Sequence, residues 1–150
     1  MKRYICILIV LAMMVFMLPA HASAAQEETD IVYFEDGSYL VTTISEMQTR
    51  ATASKNGSKT KTYYESDGSA AWKATLTGTF TYDGSSSTCT SSNCSVTVYN
   101  SAWYTISKTA SRSGSTANAA VTMGRKLLGV AVTNKSINIS LTCDGNGNLS

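Results

Sequence analysis

The chain has 150 residues, with 12 basic and 10 acidic side chains, one histidine and one proline. Without residues 1–25 the charges balance at 10 basic and 10 acidic, and both His21 and Pro19 are gone. A neutral remainder with no Lys/Arg run argues against nucleic acid or an acidic membrane surface as partner. It also lacks the imidazole base that Ser-His-Asp and Cys-His chemistry uses.

In chain order, Lys2 and Arg3 give a charged start, Tyr4 to Leu18 an apolar run, and Pro19 to Ala25 a string of mostly small residues. These are the three parts of a secretory signal peptide. The run is shorter than the roughly 20 residues of a spanning helix, and no later segment approaches that length. The expectation is a signal helix over 1–25, cleaved after Ala22, Ala24 or Ala25. The product is then secreted and extracellular, with no stable membrane insertion. Cys6 lies within the apolar run rather than after a lipoprotein box, so a lipid anchor is not indicated.

The remaining length suits one domain with its own core. Ser and Thr make up about a third of it, and β-branched and aromatic residues recur with period two, which is strand chemistry. The first strands flank Asp36-Gly37; a two-residue turn there pairs Phe34 with Tyr39 and Val32 with Val41. Glu46 to Ser58 is polar and small and reads as a linker, leaving the first hairpin as an appendage over residues 26–57. The body, residues 58–150, begins with a second hairpin at Asp67-Gly68 that sets Tyr63 opposite Trp72 and Tyr64 opposite Ala71. From Trp72 to Tyr82 the residues Trp72, Ala74, Leu76, Gly78, Phe80 and Tyr82 share one face, with Lys73 and four threonines on the other.

Val96 and Val98, then Ala119, Val121 and Met123, repeat the pattern. A reversal is expected at Leu128-Gly129, and Ile137, Ile139, Leu141 and Cys143 alternate with polar residues. No segment of this part shows helical spacing. The predicted fold is all-β: an antiparallel sandwich, immunoglobulin-like, or a small barrel, with about six or seven strands in the body.

Secretion would place Cys89, Cys94 and Cys143 where bridges persist, with one thiol left over. Cys89 and Cys94 enclose four residues, a loop length compatible with a hairpin. Joining Cys89 to Cys143 closes a loop of about 55 residues and stabilises by about 4 kcal/mol in the chain-entropy model. A redox role does not follow from this spacing, and a metal role is weakened by the missing histidine.

The succession Tyr33-Phe34-Glu35-Asp36-Gly37-Ser38-Tyr39, the run Gly57 to Tyr64, and Trp72 leading to Leu76-Thr77-Gly78-Thr79-Phe80-Thr81-Tyr82 resemble a family of small exported proteins of unknown function. So do Ala110 to Gly114, Leu128-Gly129-Val130 and the closing Leu141 to Ser150. The family belongs to Gram-positive, Clostridia-type gut bacteria. The resemblance covers nearly all of the chain after residue 25 and implies export and an all-β fold, but no activity. It also implies a bridge between Cys89 and Cys143, with Cys94 as the extra thiol.

Testing for chemistry leaves little. Carboxylate pairs of the glycosidase kind could be drawn from Glu35, Asp36, Glu46, Glu65, Asp67, Asp83 and Asp144, but turn formation already accounts for the four aspartates. Asp144-Gly145-Asn146-Gly147-Asn148 has the oxygen spacing that opens a calcium loop and lacks the glutamate that would close it. No catalytic residue, metal ligand or cofactor is expected. Trp103 and Tyr104 are consecutive, so on a strand they point to opposite faces and at least one could stack on a ligand. The expected function is non-enzymatic surface recognition of a glycan, a cell-envelope component or a protein. The rival expectation is a secreted effector or antimicrobial protein acting on other cells.

Overall fold

A computed structural model describes residues 28–47 and 54–150. The expected signal helix, its cleavage positions and residues 48–53 of the expected linker lie outside these. Eight strands account for most of the described chain: β1 (Glu28–Tyr33), β2 (Tyr39–Met47), β3 (Ser54–Tyr64), β4 (Ala70–Tyr82), β5 (Ser87–Val98), β6 (Trp103–Ser113), β7 (Thr116–Leu127) and β8 (Val130–Thr142). They form two antiparallel sheets, one in the order β1-β2-β3-β4-β5 and one in the order β6-β7-β8. The fold is an all-β sandwich, and no helix occurs among the described residues. Each sheet is a meander of consecutive strands, where the immunoglobulin topology would interleave them by Greek-key connections.

The core follows the alternation of the sequence. Trp72, Ala74, Leu76 and Phe80 on β4 face Ala117, Ala119, Val121 and Met123 on β7 and Ile137, Ile139 and Leu141 on β8, all buried. Gly78 lies in the same layer because its neighbour needs the space: a Cβ there would come within 2.6 Å of the Phe80 ring.

The linker expectation is corrected. Glu46 and Met47 end β2, Ser54 to Ser58 begin β3, and β2 pairs with β3 from Tyr39↔Tyr64 to Met47↔Asn56. The first hairpin is therefore the edge of the larger sheet, and it places Leu40 and Ile44 in the core. Polar, small residues suited this region because one face of β3 meets solvent and the other is only partly covered.

The turns are also corrected in kind. Phe34 N donates to Ser38 O (2.8 Å) and Gly37 N to Phe34 O (3.0 Å). Glu65, Gly68 and Ser69 repeat this arrangement, with Glu65 N donating to Ser69 O (2.9 Å) and Gly68 N to Glu65 O (2.9 Å). Only the glycine of each Asp-Gly pair has positive φ, 78° at Gly37 and 82° at Gly68. These are three-residue loops closed by a glycine bulge rather than two-residue type I′ turns. The longer loop shifts the first hairpin by one residue, to Tyr33↔Tyr39 and Val32↔Leu40. In the second it pairs Tyr64 with Ala70 instead of Ala71, and a bulge then restores the expected Tyr63↔Trp72 pair. The tight turn with two positive φ angles is at Leu128 (52°) and Gly129 (84°), where the reversal was expected.

Because five strands oppose three, the sheets do not cover each other fully. β6, β7 and β8 contact β3, β4 and β5 but neither β1 nor β2. The tail extends the smaller sheet: Cys143 bridges Leu149, and Ser150 exchanges hydrogen bonds with Thr142 at 2.9 and 3.0 Å. Leu149 packs on Gly57, where a Cβ would come within 2.1 Å of its Cδ1. Beyond that tail, no strand of the smaller sheet covers the inner face of β2 and β1.

Candidate functional site

One end of the sandwich gathers most of the aromatic rings. Tyr63 stacks on Trp72 at 5.2 Å with 9° between planes, and Trp103 meets Tyr63 edge-on at 5.2 Å. The end loops bring charge to these rings. Glu65, at the close of β3, accepts from Trp103 Nε1 (2.9 Å) and Asn100 Nδ2 (3.1 Å) through Oε1 and pairs with Arg125 through Oε2 (3.4 Å). One carboxylate thus joins β3 to β6, β7 and the β5–β6 loop. Lys135 of β8 lies 4.2 Å above the Phe34 ring and 3.4 Å from Asp36. Between these groups is a cleft of about 210 Å³ lined by Asp36, Ser38, Tyr63, Glu65, Trp103 and Arg125, among others.

On the opposite face of the larger sheet, at the same end, Tyr33, Tyr39 and Tyr64 occupy neighbouring positions on β1, β2 and β3. Tyr39 stacks on Tyr64 at 4.8 Å and 8°, and Tyr33 tilts against Tyr39 at 5.5 Å. Tyr33 ends the ladder on the edge strand, 70 % exposed. A hydroxyl-rich surface adjoins it. Thr43, Thr60, Thr62, Lys73 and Tyr99 are among the residues lining a shallow depression of about 340 Å³, and the Thr60 and Thr75 hydroxyls are 3.0 Å apart.

The two aromatic candidates separate as strand geometry requires. Trp103 points inward and is 4 % exposed, so it is not a stacking surface, and the expectation that it binds a ligand is corrected. Its indole N–H is committed to Glu65. Tyr104 points outward and is half-buried, its ring over Gly124 and 4.7 Å from Lys126 Nζ. Tyr33 and Tyr99 are the exposed aromatics of this end among the described residues, and the period-two pattern that puts Tyr33 beside Tyr39 and Tyr64 was present in the sequence once the register was known.

The carboxylates divide likewise. Asp36 and Glu65 share the cleft, the arrangement glycosidase chemistry starts from. A general acid must hold its proton near neutral pH. Asp36 does the reverse: hydrogen bonds from the Ser38 hydroxyl and amide, then the Lys135 charge, hold its carboxyl below the usual range. Glu46 is paired with Lys55 at 2.6 Å, and Glu35 is exposed. Asp144 accepts from Asn146 N, Asn148 N and Asn148 Nδ2 at 2.9, 2.8 and 2.7 Å, so its own turn occupies the oxygens a cation would need. No group of three or more possible metal ligands occurs among the described residues.

Cys89, Cys94 and Cys143 are free, buried thiols, and burial raises the pKa of each. The local Cys89–Cys94 pair is ruled out, since both residues lie on β5. At about 3.3 Å per residue they are on the order of 15 Å apart, where a bridge needs Cα atoms within about 7 Å. Cys89 and Cys143 instead approach one turn: Cys89 N donates to Gly114 O (2.7 Å) and Cys143 N to Ser115 O (3.1 Å).

No family model, curated protein or solved structure matches the chain.

Proposed function

We propose that the protein is exported and acts without turnover, holding a glycan or another cell-envelope component against the aromatic end of the sandwich. The observation that carries this reading is the Tyr33–Tyr39–Tyr64 ladder, whose terminal ring is 70 % exposed beside a surface of threonine hydroxyls. Flat apolar rings bordered by hydroxyl donors and acceptors suit the C–H faces and hydroxyls of sugars. The lack of any histidine in residues 26–150 and the ionised state favoured for Asp36 support a binding rather than a catalytic role.

Export and the family resemblance extend this reading to a bridge between Cys89 and Cys143, whose amides bond adjacent carbonyls of the β6–β7 turn. The test uses protein recovered from culture medium. Its first residue is expected to follow Ala22, Ala24 or Ala25, and its mass to be lower than that of the reduced form by a pair of hydrogens. On an array of glycans and peptidoglycan fragments it should bind saturably, and Tyr33→Ala should weaken binding by about tenfold, the scale of one lost aromatic stack. Equal binding by wild type and variant would refute the ladder as the binding face.

A second reading, an effector that perturbs other cells, rests on the β7–β8 tip. Leu127, Leu128, Val130 and Val132 are all exposed there, Leu128 at 97 %. Monomeric proteins rarely group so many apolar side chains in solvent. Under this reading the protein releases dye from lipid vesicles and Leu128→Asn does not. Asparagine keeps the turn, because it tolerates the positive φ that leucine adopts only at a cost. Intact vesicles with wild-type protein would eliminate the effector reading.

A further inference from the structure

The inner face of β3 departs from the rest of the core. Leu40, Ile44, Tyr63, Trp72 and Leu76 around it are buried and apolar, yet β3 presents Lys59 and Lys61 to the same layer. Strand pairing fixes their neighbours: Lys59 lies between Ile44 and Leu76, and Lys61 between Thr42 and Ala74. Solvated lysines would be unremarkable on the outer face. Here they form the floor of a slot of about 380 Å³ with Thr42 and Ile44, walled by Asp30 of β1 and Ser150 of the tail. The slot exists because the smaller sheet stops short of β2 and β1.

Asp30 acts on Lys61 across the slot without forming an ion pair. Lys55, on the same face, is paired with Glu46 at 2.6 Å, and Lys135 with Asp36 at 3.4 Å. Lys59 and Lys61 make no hydrogen bond or ion pair with a described residue, and both are half-buried. Two residues apart on one strand, their Cα atoms are about 6.6 Å from each other. At that spacing two flexible ammonium groups can converge on a single oxyanion. Burial and the neighbouring Lys59 charge lower the Lys61 pKa, with Asp30 opposing them, which is the effect a bound anion would reverse.

We propose that this slot binds an oxyanion, the carboxylate or phosphate of a sugar or polyol chain, between the ammonium groups of Lys59 and Lys61. Thr42 contributes a hydroxyl to such a ligand and Ile44 an apolar patch for its carbon skeleton. Asp30 at the rim works against further negative charge and favours ligands whose anionic groups are spaced out. The site lies on the face of the sheet opposite the tyrosine ladder and does not depend on it.

Titration calorimetry of the purified protein with tetragalacturonate and with a glycerol-phosphate tetramer tests the proposal, with neutral cellotetraose as control. At least one anion is expected to bind saturably, and more weakly as salt rises. Binding by the first alone identifies an acidic polysaccharide, by the second alone a polyol phosphate, and by both a site that reads charge; each supports the slot. Lys59→Gln/Lys61→Gln should lower affinity by at least about tenfold, as expected for charged hydrogen bonds. Lys59→Arg/Lys61→Arg should retain binding, and Asp30→Asn should tighten it by about two- to fivefold. Lys108→Gln, at an exposed position of β6, should leave it unchanged, which separates the slot from positive charge in general. The proposal is overturned if neither anion binds, or if binding survives the double glutamine change.

Discussion

Glu65→Ala is expected to lower the unfolding free energy by about 2–4 kcal/mol, a large share for a residue beside a turn. The carboxylate is the acceptor for the Trp103 indole N–H at 2.9 Å and the Asn100 amide at 3.1 Å, and Trp103 is buried. Removing it strands a buried donor, whose desolvation is then uncompensated, and it unties the β5–β6 loop from the close of β3. Arg125 contributes less. Its contact is 3.4 Å long and its side chain 41 % exposed, so Arg125→Ala should cost under about 1 kcal/mol. Glu65→Gln keeps a carbonyl oxygen for the indole and should fall between the two. Urea unfolding of the three variants checks the order. A Glu65→Ala midpoint within the scatter of ordinary surface substitutions would show that the carboxylate is incidental to the joint between the sheets.

That joint illustrates what one sequence can and cannot convey. The strands at Trp72–Tyr82 and Ile137–Cys143 were legible because one face is apolar at every second residue and only one register buries it. Asp-Gly marked the turns, yet their type turned on the next residue. In Asp36-Gly37-Ser38 and Asp67-Gly68-Ser69 the aspartate accepts from the serine amide, at 3.1 and 2.8 Å, and from its hydroxyl, which favours the longer loop. The repeated serine was visible, but its partner was not evident without the fold.

Glu65 carried no signal, because Asn100, Trp103 and Arg125 reach it from 35, 38 and 60 residues away. Lys59 and Lys61 were ambiguous for a different reason. They alternate with Ser58, Thr60 and Thr62, so both faces of β3 are polar and the pattern cannot say which one turns inward. Trp103 and Tyr104 could not be told apart as inner and outer residues for the same lack of a distinguishing face.

Trp72 separates packing from hydrogen bonding. It is 0 % exposed, stacked on Tyr63 at 5.2 Å and tilted against Trp103 at 6.1 Å, so Trp72→Ala opens a cavity in the centre of the aromatic cluster. The expected cost is about 3–5 kcal/mol, a large share of the stability of an ordinary domain. Trp72→Phe is expected to behave differently, because the buried Trp72 Nε1 has no hydrogen-bond partner among the described residues. Phenylalanine removes that orphan donor, a gain of about 1–3 kcal/mol, and it gives up part of the ring volume. The two effects oppose each other, and stability should stay within about 1 kcal/mol of wild type.

Trp103→Phe is the control, since its N–H is bonded to Glu65 at 2.9 Å and its loss removes a hydrogen bond to a charged acceptor that keeps only Asn100 and Arg125. Its cost should be about 1.5–3 kcal/mol. Thermal unfolding of the three proteins should rank them with Trp72→Phe the most stable and Trp72→Ala the least. Were Trp72→Phe as damaging as Trp103→Phe, ring volume rather than the unpaired indole would govern this part of the core.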